Sequence, residues 1–380
     1  MSPPTWVCLG TGGVGKTTVA AALAAMLAAR GQRTLVATVD PARRLGDTVG
    51  LPGLRGLGDV PGQPRLTALV PDPVAGVRSL IARWLIEFPE HADRLVDNPL
   101  VEALTGGLAG IHELISLAEL AHHRSTEALP IPLVIDTAPS RHALELLALP
   151  SRLGAIIDGR ALRWFGQLAR QAVMPPRGLT SRLARWGQDR LLQTFSASIG
   201  DAPIAAALAL LALAADVQPE LSQIVANARA MLAPAQVQIA IVTAARPGAI
   251  DELEEMRTAL AELGHAPALV VINRVPGPSP RVLVTHPSTS PELRACARLA
   301  SASIGAASAA AAAINAHVRT WRVPVIEVPA VSPSDPVEVV AAVAAVLAAG
   351  FTLDRAPSGS TSPGARSAPS ILQYDRREDL

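Results

Sequence analysis

Gly10-Thr11-Gly12-Gly13-Val14-Gly15-Lys16-Thr17 is the stretch on which the fold of this chain turns. It satisfies G-x-x-x-x-G-K-[ST] at every fixed position. The glycines free the backbone to curl, so that successive N–H groups converge on one anion. Upstream, residues 5–9 (TWVCL) are a short apolar run of β-forming residues. Downstream, Thr18 and VAAALAAMLAARG to Gly31 read as a strong helix former ended by glycine. Residues 33–39 (RTLVATV) are a second apolar run that stops at Asp40. Strand, glycine turn, helix and strand make a right-handed βαβ unit. The helix brings its positive end to the turn, which makes the turn an anion site.

Of the 33 Lys and Arg residues, Lys16 is the only lysine. Arginine is a planar fork and lysine a compact point charge on a thin stem. A chain that uses arginine wherever any cation serves keeps its one lysine where the fork does not fit. Lys16 is expected to reach the β- and γ-phosphates of a nucleotide, and Thr17 to place its hydroxyl on Mg²⁺. The residues expected to hold the phosphates are Gly10, Thr11, Gly12, Gly13, Val14, Gly15, Lys16, Thr17 and Thr18.

A phosphate loop needs a metal-side carboxylate and a group that positions water. Two acids end strand-like runs: Asp136, after PLVI and opening DTAPS, and Asp40, after LVATV and opening DPARRL. The carboxyl ends of parallel strands are where ligands sit in open α/β sheets. Each acid reads either as a metal or water ligand or as an ordinary helix N-cap. Further buried strands are expected at Leu66–Val70, Pro132–Ile135, Val237–Thr243, Ala268–Ile272 and Val323–Val328, each short and Val/Ile/Leu-rich. The fold class is therefore α/β: a mostly parallel, doubly wound sheet with an inserted helical subdomain. Residues 1–353 are expected to form one phosphate-loop domain. Helical material is expected at about 75–125 and 151–232, including 77–88, 101–122, 140–149, 158–173, 179–196 and 202–232. The tail, 354–380, is rich in Ser, Pro, Gly and Arg and is expected to be disordered.

The 380 residues are 49% hydrophobic and 17% charged, which allows a core and excludes a wholly disordered chain. The net charge of +1 gives no global pull toward nucleic acid. No uninterrupted apolar run reaches the roughly 20 residues of a membrane span. Residues 1–6 lack a secretory leader's pattern, and two cysteines, Cys8 and Cys296, suit a reducing cytoplasm.

Together, GTGGVGKTT, VDPARRLGD and VIDTAPSRHALELL resemble the deviant-Walker ATPases of the arsenite-pump (ArsA) and tail-anchored-protein-targeting type. Val70-Pro71-Asp72-Pro73, Ile241-Val242-Thr243 and Val271-Ile272-Asn273-Arg274 extend the resemblance over most of residues 5–350. It implies ATP and Mg²⁺ as ligands, with catalytic roles for Asp40, which orients the attacking water, and for Lys16. It implies Mg²⁺ held by Thr17 and, through water, by Asp136, and adenine contacted by Asn273. The missing N-K-x-D motif agrees with ATP over GTP. One phosphate loop implies a homodimer, or a heterodimer with a related subunit, closing over nucleotide to drive an unidentified client or membrane partner; no nucleic acid is expected.

The departures matter. The family's signature lysine stands where this chain has Thr11, so Arg43, Arg44 or Arg141, beside the two switch segments, is expected to supply the lost charge. The rival is a nonhydrolytic ATP-binding regulatory protein. A ParA/MinD-type positioning ATPase is a third reading, but the tail SILQYDRREDL is short and acidic for a membrane helix. Two isolated cysteines do not make a soft-metal site. The apolar face of 158–173 serves either as core or as a client groove. A basic, Trp-bearing face (Arg182, Arg185, Trp186, Arg190) could touch membrane instead.

Overall fold

The computed structural model describes residues 3–40, 42, 44–72, 75–76, 111–126, 131–157, 218–277, 290–331 and 335–350. The helices expected at 77–88, 158–173 and 179–196, residues 202–217 and the tail 354–380 lie outside the described residues, as do the client groove and the basic Trp-bearing face.

In chain order the strands are β1 (Thr5–Leu9), β2 (Thr34–Thr38), β3 (Gly56–Asp59), β4 (Leu66–Val70), β5 (Leu133–Asp136), β6 (Val237–Ala244), β7 (Pro267–Val275) and β8 (Val325–Pro329). The helices are α1 (Lys16–Ala29), α2 (Leu45–Thr48), α3 (Ile111–Thr126), α4 (Ser140–Ile157), α5 (Gln218–Met231), α6 (Ala249–Glu262), α7 (Pro291–Arg319) and α8 (Pro336–Gly350). The strands form one sheet in the order β3-β4-β2-β5-β1-β6-β7-β8. Every pairing is parallel except β3 with β4. The chain is α/β, as the apolar runs and the phosphate loop implied.

Strand β3 is the element that the apolar runs missed. It alternates half-buried and exposed residues at the sheet's edge, and two of its four residues are glycine, so it carries neither an apolar run nor β-branched side chains. The five further strands anticipated are all present, with ends shifted by up to a few residues, but the one expected as buried at Val323–Val328 is β8, the sheet's other edge, where only Ile326 and Val328 are buried. The helix anticipated at 140–149 continues through Pro150 to Ile157.

The core explains why α1 is apolar on every side. Val19 through Ala28 are all buried. They pack into one cluster with Trp6, Cys8, Val36, Val134 and Val242 of the sheet and with Val340, Val343 and Leu347 of α8. A helix apolar all round is a buried helix. The small alanines let sheet and helix approach closely on both sides, and α1 is thereby fixed where it leaves the loop.

The described residues divide between two compact units: those within 1–71, 123–147 and 231–350 in one, and those within 72–122 and 148–230 in the other. The first holds the sheet. In the second, Leu114, Ile224 and Val225 form a small core with Ala118, Leu149 and Leu153.

Among the described residues, one helix is long and apolar enough to cross a membrane by length and composition: α7, of 29 residues. It holds no unbroken apolar run of that length, because Ser301, Ser303 and Ser308 divide its apolar residues. It packs through Ala297, Ala311, Ile314 and Val318, while Leu293 and Leu299 are exposed.

Candidate functional site

All the carboxyl ends of β1, β2, β5, β6 and β7 lie on one edge of the sheet, because these strands are parallel. That edge gathers the loop after β1, Asp40 after β2, Asp136 at the end of β5, Arg246 after β6 and Asn273 within β7. The chain runs from β1 outward to β2 on one side and reaches β6 on the other. The loop therefore sits at the sheet's topological switch point.

The loop is shaped by two close approaches. A Cβ on Gly10 would lie 2.2 Å from the carbonyl oxygen of Val242 in the neighbouring β6. A Cβ on Gly15 would lie 2.3 Å from Asn273 Nδ2, and Gly15 has φ of 90°, which favours glycine. Gly15 opens α1 without a side-chain cap, and no acid occupies the helix's first turn, which includes Thr17 and Thr18. The first amides of α1 therefore keep their positive character. Lys16 folds back over the loop, and its Nζ donates to the Thr11 carbonyl oxygen at 2.9 Å. It is 7% exposed. Burial pushes the ammonium pKa below its ordinary value, while Asp136 and then Asp40 raise it.

The sheet's register builds the acidic half of the site. Thr38 and Cys8 are the parallel-strand partners of Asp136, on β2 and β1. Such neighbours project from the same face. Thr38 Oγ1 accordingly donates to Asp136 Oδ2 at 3.1 Å, and Thr17 Oγ1, from the loop, donates to the same oxygen at 2.9 Å. The other oxygen, Oδ1, is buried with no hydrogen-bond partner among the described residues. A buried carboxylate oxygen without a donor is costly. Burial pushes the Asp136 carboxyl up to about 6; the hydroxyls of Thr17 and Thr38 act against this, Asp40 adds to it and Lys16 opposes it.

These residues fit Mg²⁺. Thr17 spends its proton on Asp136 and keeps oxygen lone pairs for a cation, and Asp136 Oδ1 is an acceptor with no partner among the described residues, as a metal-bound water would require. Among the described residues no group of three His, Cys, Asp or Glu could hold a metal. A site of one hydroxyl and one acid, completed by phosphate oxygens, is the form Mg²⁺ takes beside a triphosphate.

Asp40 is joined to this pair through Thr38. Its backbone N–H donates to Thr38 Oγ1 at 3.1 Å, and its Oδ1 accepts from the Ala42 N–H at 2.9 Å. Thr38 thus ties the two acids together, a role that sequence reading missed. Thr137 Oγ1 donates to the Cys8 carbonyl at 2.6 Å, which fixes the segment after Asp136. The Cys8 thiol is pushed far above its ordinary pKa, by burial first and Asp136 second, and is inert.

Asn273 buttresses the loop. Its Nδ2 donates to the Val14 carbonyl at 2.8 Å, and its Oδ1 accepts from the Arg274 N–H at 2.9 Å. These two contacts use half of an amide's capacity. The side chain of Arg274 donates to the Gly13 carbonyl at 3.2 Å.

Arg246 was also missed. Its Nη2 lies 3.3 Å from Thr11 Oγ1 and 2.6 and 2.7 Å from the two carboxylate oxygens of Glu252. Only the pairing of β6 with β1, which the sequence does not state, brings it to the loop. Of the three arginines expected near the switches, Arg43 and the side chain of Arg141 lie outside the described residues. Arg44 lies near enough to Lys16 to lower its pKa.

The sequence profile of the anion-transporting ATPases matches residues 5–279, which include the loop, both acids and Asn273. The chain belongs to the anion-transporting ATPase family. Among curated relatives of this family, ATPase GET3 of Rhodotorula glutinis is 32% identical over 149 residues, 39% of this chain and 41% of that protein. The arsenical pump-driving ATPase of Escherichia coli is 32% identical over 168 residues, 41% of this chain and 27% of that protein. ATPase ASNA1 homolog 1 of Paramecium tetraurelia is 34% identical over 152 residues, 38% of this chain and 44% of that protein. The chain thus matches less than half the length of each of these relatives.

Proposed function

We propose that this chain is a Mg²⁺-dependent ATP hydrolase. The observation that carries the reading is the convergence of Lys16, Thr17 and Asp136 at the mouth of the loop, with Asp136 Oδ1 buried and unpartnered among the described residues. The loop amides and Lys16 hold the phosphates of ATP. Thr17 and Asp136 hold Mg²⁺, which when bound neutralises charge on the β- and γ-phosphate oxygens. Asp40 orients the water that attacks the γ-phosphorus, and ADP leaves as the β–γ bridge breaks. Asn273 contacts adenine with the hydrogen-bonding capacity it does not spend on Val14 and Arg274.

The working unit is a homodimer, or a heterodimer with a related subunit, that closes on ATP and opens on ADP to drive a client. We place it in the cytoplasm, since Cys8 and Cys296 are both free thiols. The family's description and the relative named arsenical pump-driving ATPase favour an anion transporter as the client, and the resemblance of the motifs to tail-anchored-protein-targeting ATPases favours a protein in transit. Calorimetry and phosphate release test the reading. Wild type binds ATP·Mg²⁺ and releases phosphate; Lys16→Ala loses binding; Asp40→Asn binds and does not turn over. Binding with no turnover in the wild type would instead favour the nonhydrolytic regulator, for which Thr11 is the motive. Size-exclusion chromatography with ATP or ADP reads the dimer.

A further inference from the structure

We propose that Arg246 is the cation that completes the phosphate loop, parked on Glu252 until a nucleoside triphosphate draws it away. The inference rests on the reading of the loop as a triphosphate site and adds the residue that reads the third phosphate.

The starting point is Thr11. Lys16 Nζ takes its carbonyl oxygen at 2.9 Å, and Arg246 Nη2 reaches its hydroxyl at 3.3 Å. Two cations therefore flank one residue of the loop, although Arg246 lies 235 positions away in sequence. Arg246 gets there because β6 pairs in parallel with β1, so the turn after β6 opens onto the same edge as the loop after β1. Pro247 and Gly248, with Gly248 at φ of 79°, turn the chain from Ala244 into α6.

Glu252 then matters. It lies in the first turn of α6, where a helix favours an acid. Both its oxygens accept from the same Nη2, at 2.6 and 2.7 Å. This contact is much shorter than the one to Thr11, so Arg246 rests on Glu252 and leans on the loop. The pair is open to water, with side-chain exposures of 43% and 30%. Exposed pairs are cheap to break, worth about two- to fivefold in an equilibrium. A triphosphate a few ångströms away carries more charge than one carboxylate, and arginine's planar fork matches phosphate oxygens. Since Nη2 serves both present contacts, the guanidinium's other N–H groups face neither Glu252 nor Thr11.

A loop with one lysine and a threonine beside it is short of positive charge for a γ-phosphate in transfer. Arg246 is the side chain that, among the described residues, reaches the hydroxyl of Thr11. It supplies charge from a neighbouring strand of its own chain and is released only when the anion outweighs Glu252.

Titration calorimetry with ATP·Mg²⁺ and with ADP·Mg²⁺ tests this in wild type, Arg246→Ala, Arg246→Lys, Glu252→Gln and Lys16→Ala. Arg246→Ala is expected to weaken ATP by about tenfold and ADP by less than about twofold. Arg246→Lys keeps most of the preference for ATP. Glu252→Gln tightens ATP by about two- to fivefold, because the rest position is lost. Phosphate release falls in Arg246→Ala at saturating ATP. Equal losses for ATP and ADP in Arg246→Ala would make Arg246 a mere anchor of the loop and overturn the proposal; so would no change in either. A wild type that binds neither nucleotide, like Lys16→Ala, brings down the triphosphate reading itself. Loss in Lys16→Ala with indifference at Arg246 brings down this inference alone.

Discussion

Asp136 and Glu119 are both buried acids, each 1% exposed, and they are treated in opposite ways. Asp136, at the end of β5, receives two hydroxyl donors on one oxygen, and its carboxyl is pushed up to about 6. Glu119, on α3 in the helical unit, has one buried oxygen with no partner among the described residues, and burial and then Asp72 push it up to about 7. Desolvation favours the neutral acid at both. At Asp136 the protein spends two threonines opposing that preference, at the foot of the loop between β1 and α1. At Glu119 the preference stands, and the acid holds its proton near neutrality. The contrast separates a carboxylate kept for its charge from a carboxylic acid accommodated in a core.

The sharpest way to break the contrast is Asp136→Asn. The variant is expected to lose Mg²⁺-dependent ATP affinity by about 10- to 100-fold, the usual cost of removing a group that holds a metal's water. Turnover is lost with it. Thermal stability should hold or rise, because a buried charge has gone. Full Mg²⁺ dependence in Asp136→Asn would show that this acid is as incidental to the site as Glu119.

Glu119 supplies the second test. A folded-state value raised above the ordinary 4.5 means that the fold retains a proton which the unfolded chain releases. The stabilising contribution is present in full below pH 4.5 and is lost as pH rises through about 7. Glu119→Gln should flatten that fall and melt higher than wild type at pH 8, with a difference of no more than about 3 kcal/mol. Parallel pH profiles in the two proteins would remove the distinction. A third test uses acid: Mg²⁺-dependent ATP binding should weaken below pH 6, where Asp136 takes a proton, by up to about tenfold per pH unit. The mildest is Thr38→Val, which removes one of the two hydroxyls. It leaves Asp136 Oδ2 with Thr17 alone and the Asp40 N–H without its acceptor. A loss of about 1–3 kcal/mol by denaturant titration is expected, with weaker Mg²⁺ dependence.

How much of this could be read beforehand follows from how far apart the partners lie. The phosphate loop is local: its glycines, Lys16 and Thr17 are consecutive, and the chemistry fixes their types. Asp40 and Asp136 could be singled out because each ends an apolar run. Thr38 could not, since its meaning comes from a register that sets it beside a residue 98 positions away. Arg246 was hidden for the same reason; among so many arginines, only strand order singles it out. Strand β3 was missed because an edge strand with two glycines has no apolar signature. Helix α7 does not stand out as a long apolar element because small serines divide its run, although they cost a helix little hydrophobicity. Thr11 was legible as a substitution, which turned attention to Arg43, Arg44 and Arg141 beside the switch segments; Arg246, which reaches the Thr11 hydroxyl from the turn after β6, is a candidate that only the fold discloses.

Lys16 carries a practical consequence. It is the sole side-chain primary amine in 380 residues, and its surroundings hold it closer to the free-base form than an ordinary lysine. Acylating reagents aimed at amines therefore have a single internal target, and it lies where the nucleotide's phosphates would cover it. Intact-mass spectra after brief labelling would count filled and empty loops molecule by molecule, without any engineered reporter.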